Sequence, residues 1–141
     1  MYPDLKFHHI GIATRNFEKA IQTYQALGYS VLIEPLEVPT QEVRVCFLKK
    51  AGHPLIEIIE PAGDSSPVNT LLKKNGSGPY HFCYITYNIN DTIKRLKEQR
   101  FLVFSKPVES IAFNNNLMVF AYKDDIGFIE IVESPLLYAE I

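Results

Sequence analysis

The chain has 141 residues, 47% of them apolar and 21% charged, which is the size and composition of one globular domain rather than a disordered segment. Its formal net charge of −2, with no local Lys/Arg cluster, excludes the electrostatic footprint of a nucleic-acid binder. No apolar run is long enough to span a bilayer, and Met1-Tyr2-Pro3-Asp4-Leu5-Lys6 lacks the features of a signal peptide, so a cytoplasmic location without membrane association is expected.

Phe7–Ala13 reads as a strand whose apolar residues alternate around Gly11. Asn16 is placed to cap a helix in which Phe17, Ala20, Ile21, Tyr24 and Leu27 recur at helical spacing, and Gly28 ends it. Strands are then expected at Tyr29–Leu36, Val43–Lys49 and Leu55–Glu60, separated by the Pro39/Thr40 turn and by Ala51-Gly52-His53-Pro54. The linker Pro61-Ala62-Gly63-Asp64-Ser65-Ser66 leads to a short helix through Val68, Leu71 and Leu72. Ser66 is its expected N-cap and Pro67 its first residue. Asn75-Gly76-Ser77-Gly78-Pro79 breaks that helix. A second series follows: strand Tyr80–Thr86, helix from Ile89 to Gln99, and strands at Phe101–Phe104, Leu117–Tyr122 and Phe128–Val132. Asp124-Asp125-Ile126-Gly127 supplies the last turn.

The two series are one unit repeated. A shift of 72 positions lays His9-Ile10-Gly11-Ile12-Ala13 over His81-Phe82-Cys83-Tyr84-Ile85, and Asn16 over Asn88. One residue of slippage later, Ile56-Glu57-Ile58-Ile59-Glu60 overlays Ile129-Glu130-Ile131-Val132-Glu133. The fold expected is therefore α+β: two tandem β-α-β-β-β modules (7–60 and 80–133, linker 61–79) in a single domain, forming one curved eight-stranded mixed sheet.

Neighbours in a strand face opposite sides of the sheet. Ile10 and Ile12 therefore oppose His9, Ile56 and Ile58 oppose Glu57, Phe82 and Tyr84 oppose His81, and Ile129 and Ile131 oppose Glu130. The apolar residues can pack under the helix of their module while the His and Glu point to the concave side. A single His in a strand is usually a core or surface residue, and a Glu alternating with Ile usually faces solvent. Recurrence of both at equivalent repeat positions favours a different reading: carboxylates and imidazoles gathered on an inner face are costly to desolvate unless a cation neutralises them. His9, Glu57, His81 and Glu130 are accordingly the expected ligands of one divalent ion (Zn, Co, Ni or Mn), with room for substrate oxygens.

The remaining polar candidates read blandly. His8 faces away from His9, His53 sits in a turn, and Tyr80 is explained equally well by shaping the pocket beside His81 and by aromatic packing. Arg44 suits a solvated strand face better than an anion contact. Cys46 and Cys83, which the repeat does not superpose, read as buried thiols.

Paired β-α-β-β-β modules with His, Glu, His and Glu at these places resemble the vicinal oxygen chelate superfamily, which includes glyoxalase I, methylmalonyl-CoA epimerase, extradiol dioxygenases and bleomycin-resistance proteins. The resemblance runs from about Phe7 to Glu133 and is closest to the methylmalonyl-CoA epimerases. Their opening strand is similar to His9-Ile10-Gly11-Ile12-Ala13, their fourth strand to Ile56-Glu57-Ile58-Ile59-Glu60-Pro61, and their closing strand to Ile129-Glu130-Ile131-Val132. Asp64-Ser65-Ser66-Pro67 and Leu71-Leu72-Lys73-Lys74-Asn75-Gly76 resemble their linker helix. Two departures stand out: Tyr80 precedes His81 where the family has His-His, and Ile111-Ala112-Phe113-Asn114-Asn115-Asn116 replaces a Gly-rich loop.

The resemblance implies a metal-dependent isomerase or epimerase, a small-molecule substrate and a homodimer. The expected chemistry is enolisation next to the carbonyl of an acyl thioester, with Glu130 or Glu57 as the base. The alternatives are a glyoxalase I-like lactoylglutathione lyase, disfavoured by Ala13 where that family often has Arg, and a non-catalytic bleomycin-resistance-type binding protein, disfavoured by the complete ligand set.

Overall fold

The computed structural model describes residues 3–141. Met1 and Tyr2, which open the segment read as lacking signal-peptide features, lie outside the described residues. The first module runs β1 (Lys6–Ala13), α1 (Phe17–Ala26), β2 (Ser30–Val38), β3 (Val43–Lys49) and β4 (Leu55–Pro61), followed by α2 (Val68–Asn75). The second runs β5 (Gly78–Thr86), α3 (Ile89–Glu98), β6 (Leu102–Val103), β7 (Val108–Ser110), β8 (Asn116–Lys123) and β9 (Gly127–Glu133), followed by α4 (Pro135–Glu140). The chain is α+β, and the β-α-β-β-β unit occurs twice, as expected. Two compact units result, one of residues His9–Tyr80 and one joining the segment up to His8 to His81–Ile141.

In the unit of residues 9–80 the strand order is β2-β3-β4-β1. β1 runs parallel to β4 with Gly11 opposite Glu57, and β3 runs antiparallel to β4 with Phe47 opposite Glu57. Ile12, Phe17, Cys46, Leu48, Ile56 and Ile58 form its core under α1, joined by Ile10, Ala20, Ile21 and Tyr24. Among them Ile10, Ile12, Ile56 and Ile58 are the residues that alternation assigned to the helix side. Asn16 caps α1 as expected, its side chain accepting from the Lys19 amide at 3.3 Å. The Asn16 amide in turn donates to Thr14 Oγ1 at 3.1 Å.

The other unit repeats this plan in the order β5-β9-β8-β6, with β7 alongside β8. Asn88 caps α3 by accepting from the Asp91 amide at 3.0 Å, and Thr86 Oγ1 accepts from the Asn88 amide at 3.3 Å. Ile89, Leu96, Val119, Ala121, Ile129 and Ile131 form the core, with Tyr84, Ile93 and Val103 against it. Both helices end through a left-handed residue: Gly28 at φ 98° and, 72 positions later, Arg100 at φ 69°.

Several elements differ from expectation. The strand expected at Phe101–Phe104 is only Leu102–Val103, because the Phe101 amide is spent on Leu96 O at the end of α3. β7 was not foreseen: three residues next to Pro107 carry no period, and their pairing with β8 makes them a strand. The loop that replaces a Gly-rich segment turns without glycine, because Asn114 (φ 53°) and Asn115 (φ 62°) take the left-handed conformation, which Asn tolerates better than most residues. Ser66 does not cap α2. Pro67 holds the cap position, and Ser66 Oγ accepts only a long 3.4 Å bond from Val68. Phe82 does not pack under the helix. It is 48% exposed, its ring edge-on to Phe7 at 5.8 Å.

Candidate metal centre

Each unit places one imidazole beside one carboxylate through the same strand register. In residues 9–80, Gly11 is the parallel neighbour of Glu57. Because Gly11 has no side chain, the Glu57 carboxylate can reach back along β1 to His9. Glu57 Oε1 accepts from His9 Nε2 at 3.0 Å, with His9 0% and Glu57 4% exposed. In the other unit Cys83 takes the place of Gly11 opposite Glu130. The His81 Nε2 to Glu130 Oε1 separation is 3.4 Å, and both residues are buried. The longer separation accompanies a side chain where the first module has none.

Each imidazole is also held by a ring. Phe47, opposite Glu57 across β3 and β4, meets His9 edge-on at 5.1 Å and 90°. Phe120, opposite Glu130 across β8 and β9, meets His81 edge-on at 5.3 Å and 81°. Edge-to-face packing fixes the imidazole plane and closes that side with apolar surface. Sequence reading missed both phenylalanines. The signal was present, since the 73-position shift that relates Glu57 to Glu130 also relates Phe47 to Phe120.

The donor set of each pair suits a divalent cation. Ligand atoms each about 2.1 Å from a metal lie roughly 3.0–3.4 Å apart at angles between square and tetrahedral. The two observed separations, 3.0 and 3.4 Å, fall in that span. Imidazole with carboxylate is a donor combination borderline divalent metals accept.

The other polar candidates have local duties. Arg44 Nε donates to Glu60 at 2.8 Å and Arg44 Nη2 to Glu18 at 2.7 Å, with its guanidinium 4.3 Å over the Phe17 ring. Arg44 thus ties the start of α1 to β3 and β4 on the helix side, a more specific role than a solvated strand residue. Hydrogen bonding to Glu18 pushes the Arg44 pKa up, and the Arg44 guanidinium holds the Glu18 carboxyl below its usual range. His53 is exposed and bonds Ala51 O at 2.9 Å. His8 is half-buried with its ring 6.0 Å from Phe113. Cys46 is fully buried, and desolvation, with a smaller effect of Glu34, pushes its thiol up to about 11. Among the described residues no helix is long and apolar enough to cross a membrane.

Known proteins are similar over most of the chain. The mitochondrial methylmalonyl-CoA epimerase of Bos taurus is 29% identical over 123 residues, spanning 86% of this chain and 69% of that protein. The methylmalonyl-CoA epimerase of Mycobacterium tuberculosis superposes with a TM-score of 0.80 at 25% identity, over 94% of this chain and 91% of that one. The fold also matches a Streptomyces coelicolor methylmalonyl-CoA epimerase in complex with 2-nitronate-propionyl-CoA, with a TM-score of 0.81 at 24% identity over 93% and 99% of the two chains. The pattern of the Glyoxalase/Bleomycin resistance protein/Dioxygenase superfamily matches residues 8–120, most of the chain, and the protein belongs to that superfamily.

Proposed function

We propose that the protein is an enzyme, a divalent-metal-dependent epimerase or isomerase that enolises a small molecule next to its carbonyl, with an acyl thioester as the substrate class. His9, Glu57, His81 and Glu130 are the proposed ligands. The observation that carries the reading is that each module buries one imidazole–carboxylate pair at the same register, His9 with Glu57 at 3.0 Å and His81 with Glu130 at 3.4 Å. The similarity to methylmalonyl-CoA epimerases supports the thioester.

When bound, a divalent cation supplies Lewis-acid stabilisation of the negative charge that develops on a carbonyl oxygen. The residues do the rest. A carboxylate, Glu130 or Glu57, takes the α-proton: the C–H bond breaks, its electron pair moves toward the carbonyl oxygen, and the carboxylate becomes a carboxylic acid. Protonation from the opposite face, by the other carboxylate in its acid form if the two work as a pair across the substrate, inverts the centre, and return of the proton from the first carboxylate regenerates the substrate. His9 and His81, fixed edge-on by Phe47 and Phe120, hold the carboxylates in place. The buried setting strengthens each charge interaction relative to water.

The test is proton exchange in D₂O. Metal-loaded protein should incorporate deuterium at the α-carbon of methylmalonyl-CoA or another acyl thioester. A panel of thioesters showing no incorporation above the protein-free rate would refute the enolising reading.

A further inference from the structure

Toward the sheet edge, the face of β8 and β9 that carries Glu130 changes from polar to aromatic. Phe128 is the register partner of both His81 and Tyr122, and Tyr122 is the partner of Leu102. Alternation puts Phe128 on the face of Glu130 and Tyr122 on the face of Phe120. The Tyr122 and Phe128 rings lie 4.9 Å apart, and Phe104 joins Phe128 at 5.9 Å. The outer members remain open, Phe104 at 56% and Leu102 at 61% exposure. On the opposite face Ala121, Ile129 and Val103 pack into the core under α3. An apolar shelf thus begins beside His81 and runs to solvent, at a sheet edge where polar or charged residues are the usual protection.

The first module shows that the fold does not demand these residues. The repeat puts Ser30 where Leu102 stands, Leu32 for Phe104, Lys49 for Tyr122 and Leu55 for Phe128. Ser30 and Lys49 face each other across β2 and β3, as Leu102 and Tyr122 do across β6 and β8. With Gly28, Lys50 and Ala51 they line an open cleft of about 490 Å³. Identical strand register thus carries Ser30, Leu32, Lys49 and Leu55 in one module and three aromatic rings with Leu102 in the other.

We infer that the shelf of Phe128, Tyr122, Phe104 and Leu102 is a specificity subsite that takes a planar aromatic group on the acyl side of the substrate carbonyl. This rests on the enolising reading for its substrate. Its start at the register partner of His81 sets it beside a proposed metal ligand, so the occupant is taken as another part of the same small molecule. Three rings tilted to one another at 38° and 57° suit another ring better than a flexible chain, because aromatic pairs gain beyond the area they bury.

The experiment compares phenylacetyl and acetyl thioesters of N-acetylcysteamine by calorimetry on the metal-loaded wild type and on Phe104→Ala. Gel filtration and α-proton exchange in D₂O are recorded alongside. The wild type should bind the phenylacetyl probe about 10-fold more tightly, and Phe104→Ala should shrink that ratio by roughly 3- to 10-fold. Equal affinities in the wild type, or a ratio untouched by Phe104→Ala, would overturn the subsite. So would loss of self-association in Phe104→Ala with the ratio unchanged, which would make the shelf a subunit contact. If the ratio behaves as expected while neither probe exchanges its α-proton, the shelf stands and the enolising reading falls. Leu102→Ser, at a more exposed position that is Ser30 in the first module, gives the same comparison should Phe104→Ala fail to fold.

Discussion

Phe120 and Glu130 face each other across β8 and β9, and the Phe120 ring lies edge-on to His81, the residue that Glu130 approaches at 3.4 Å. Phe47 stands in the same relation to Glu57 and His9. Each module therefore packs its acid and its imidazole against one cross-strand aromatic, whose loss should be felt in the fold and in the metal centre.

Phe47 is 1% exposed, so Phe47→Ala should cost about 3–5 kcal/mol of stability through lost transfer energy and a residual cavity. Chemical denaturation followed by circular dichroism measures it. Phe120→Ala, at a half-buried position, should cost less stability but lower metal affinity by about 10-fold, as loss of ligand-orienting contacts does. Unchanged affinity in Phe120→Ala would show that His81 is oriented without it.

Incubation with Zn²⁺, Co²⁺, Ni²⁺ or Mn²⁺ should load one ion per chain by elemental analysis, and His9→Ala or His81→Ala should abolish loading. Glu130→Gln keeps the side-chain volume and an oxygen donor while removing a strong base. If Glu130 is the base, turnover should fall by about 10²–10⁴-fold with metal content largely kept. Glu57→Gln should then act mainly through metal affinity. The reverse pattern would assign the base to Glu57, and equal large losses would indicate two bases. Full activity with both substitutions would eliminate carboxylate-assisted enolisation.

Alkaline stability should carry the signature of Cys46. Its thiol is pushed from an ordinary 9.0 up to about 11 by burial, so between those values the unfolded chain loses a proton that the folded chain keeps. Stability should be fully present below about pH 9 and fall as pH rises toward 11, by up to ~2–3 kcal/mol. Cys46→Ala should flatten the slope in urea titrations between pH 8.5 and 10.5. A slope identical to wild type would mean Cys46 does not titrate there.

Arg100 occupies the left-handed position that Gly28 fills in the first module. A side chain there is strained by about 1 kcal/mol, whereas glycine adopts the conformation freely. Arg100→Gly should therefore raise stability by ~0.5–1 kcal/mol, read as a higher urea midpoint. A lower midpoint would show that the arginine makes compensating contacts.

The 72- and 73-position repeat was legible in the sequence because it is a pattern of residue types. It carried the two β-α-β-β-β modules, the caps at Asn16 and Asn88, and the inward direction of His9, Glu57, His81 and Glu130. Period-2 and period-3.6 patterns record which side of an element is buried, so they survive in one dimension. Tertiary structure decided the rest. β6 shrank to Leu102–Val103 and β7 appeared at Val108–Ser110 because edge pairing depends on which backbone groups the neighbouring strand leaves to bond. Arg44 became a tie between α1 and the sheet because Glu18 and Glu60 come within reach only after the chain folds back. Glu57 was legible as inward-facing, but its approach to His9 depends on the parallel ladder that sets β1 beside β4. That register pairs residues 46 positions apart in sequence, 57 − 11 for Gly11↔Glu57, which neither period joins, so it is set by packing and hydrogen bonding rather than by local pattern.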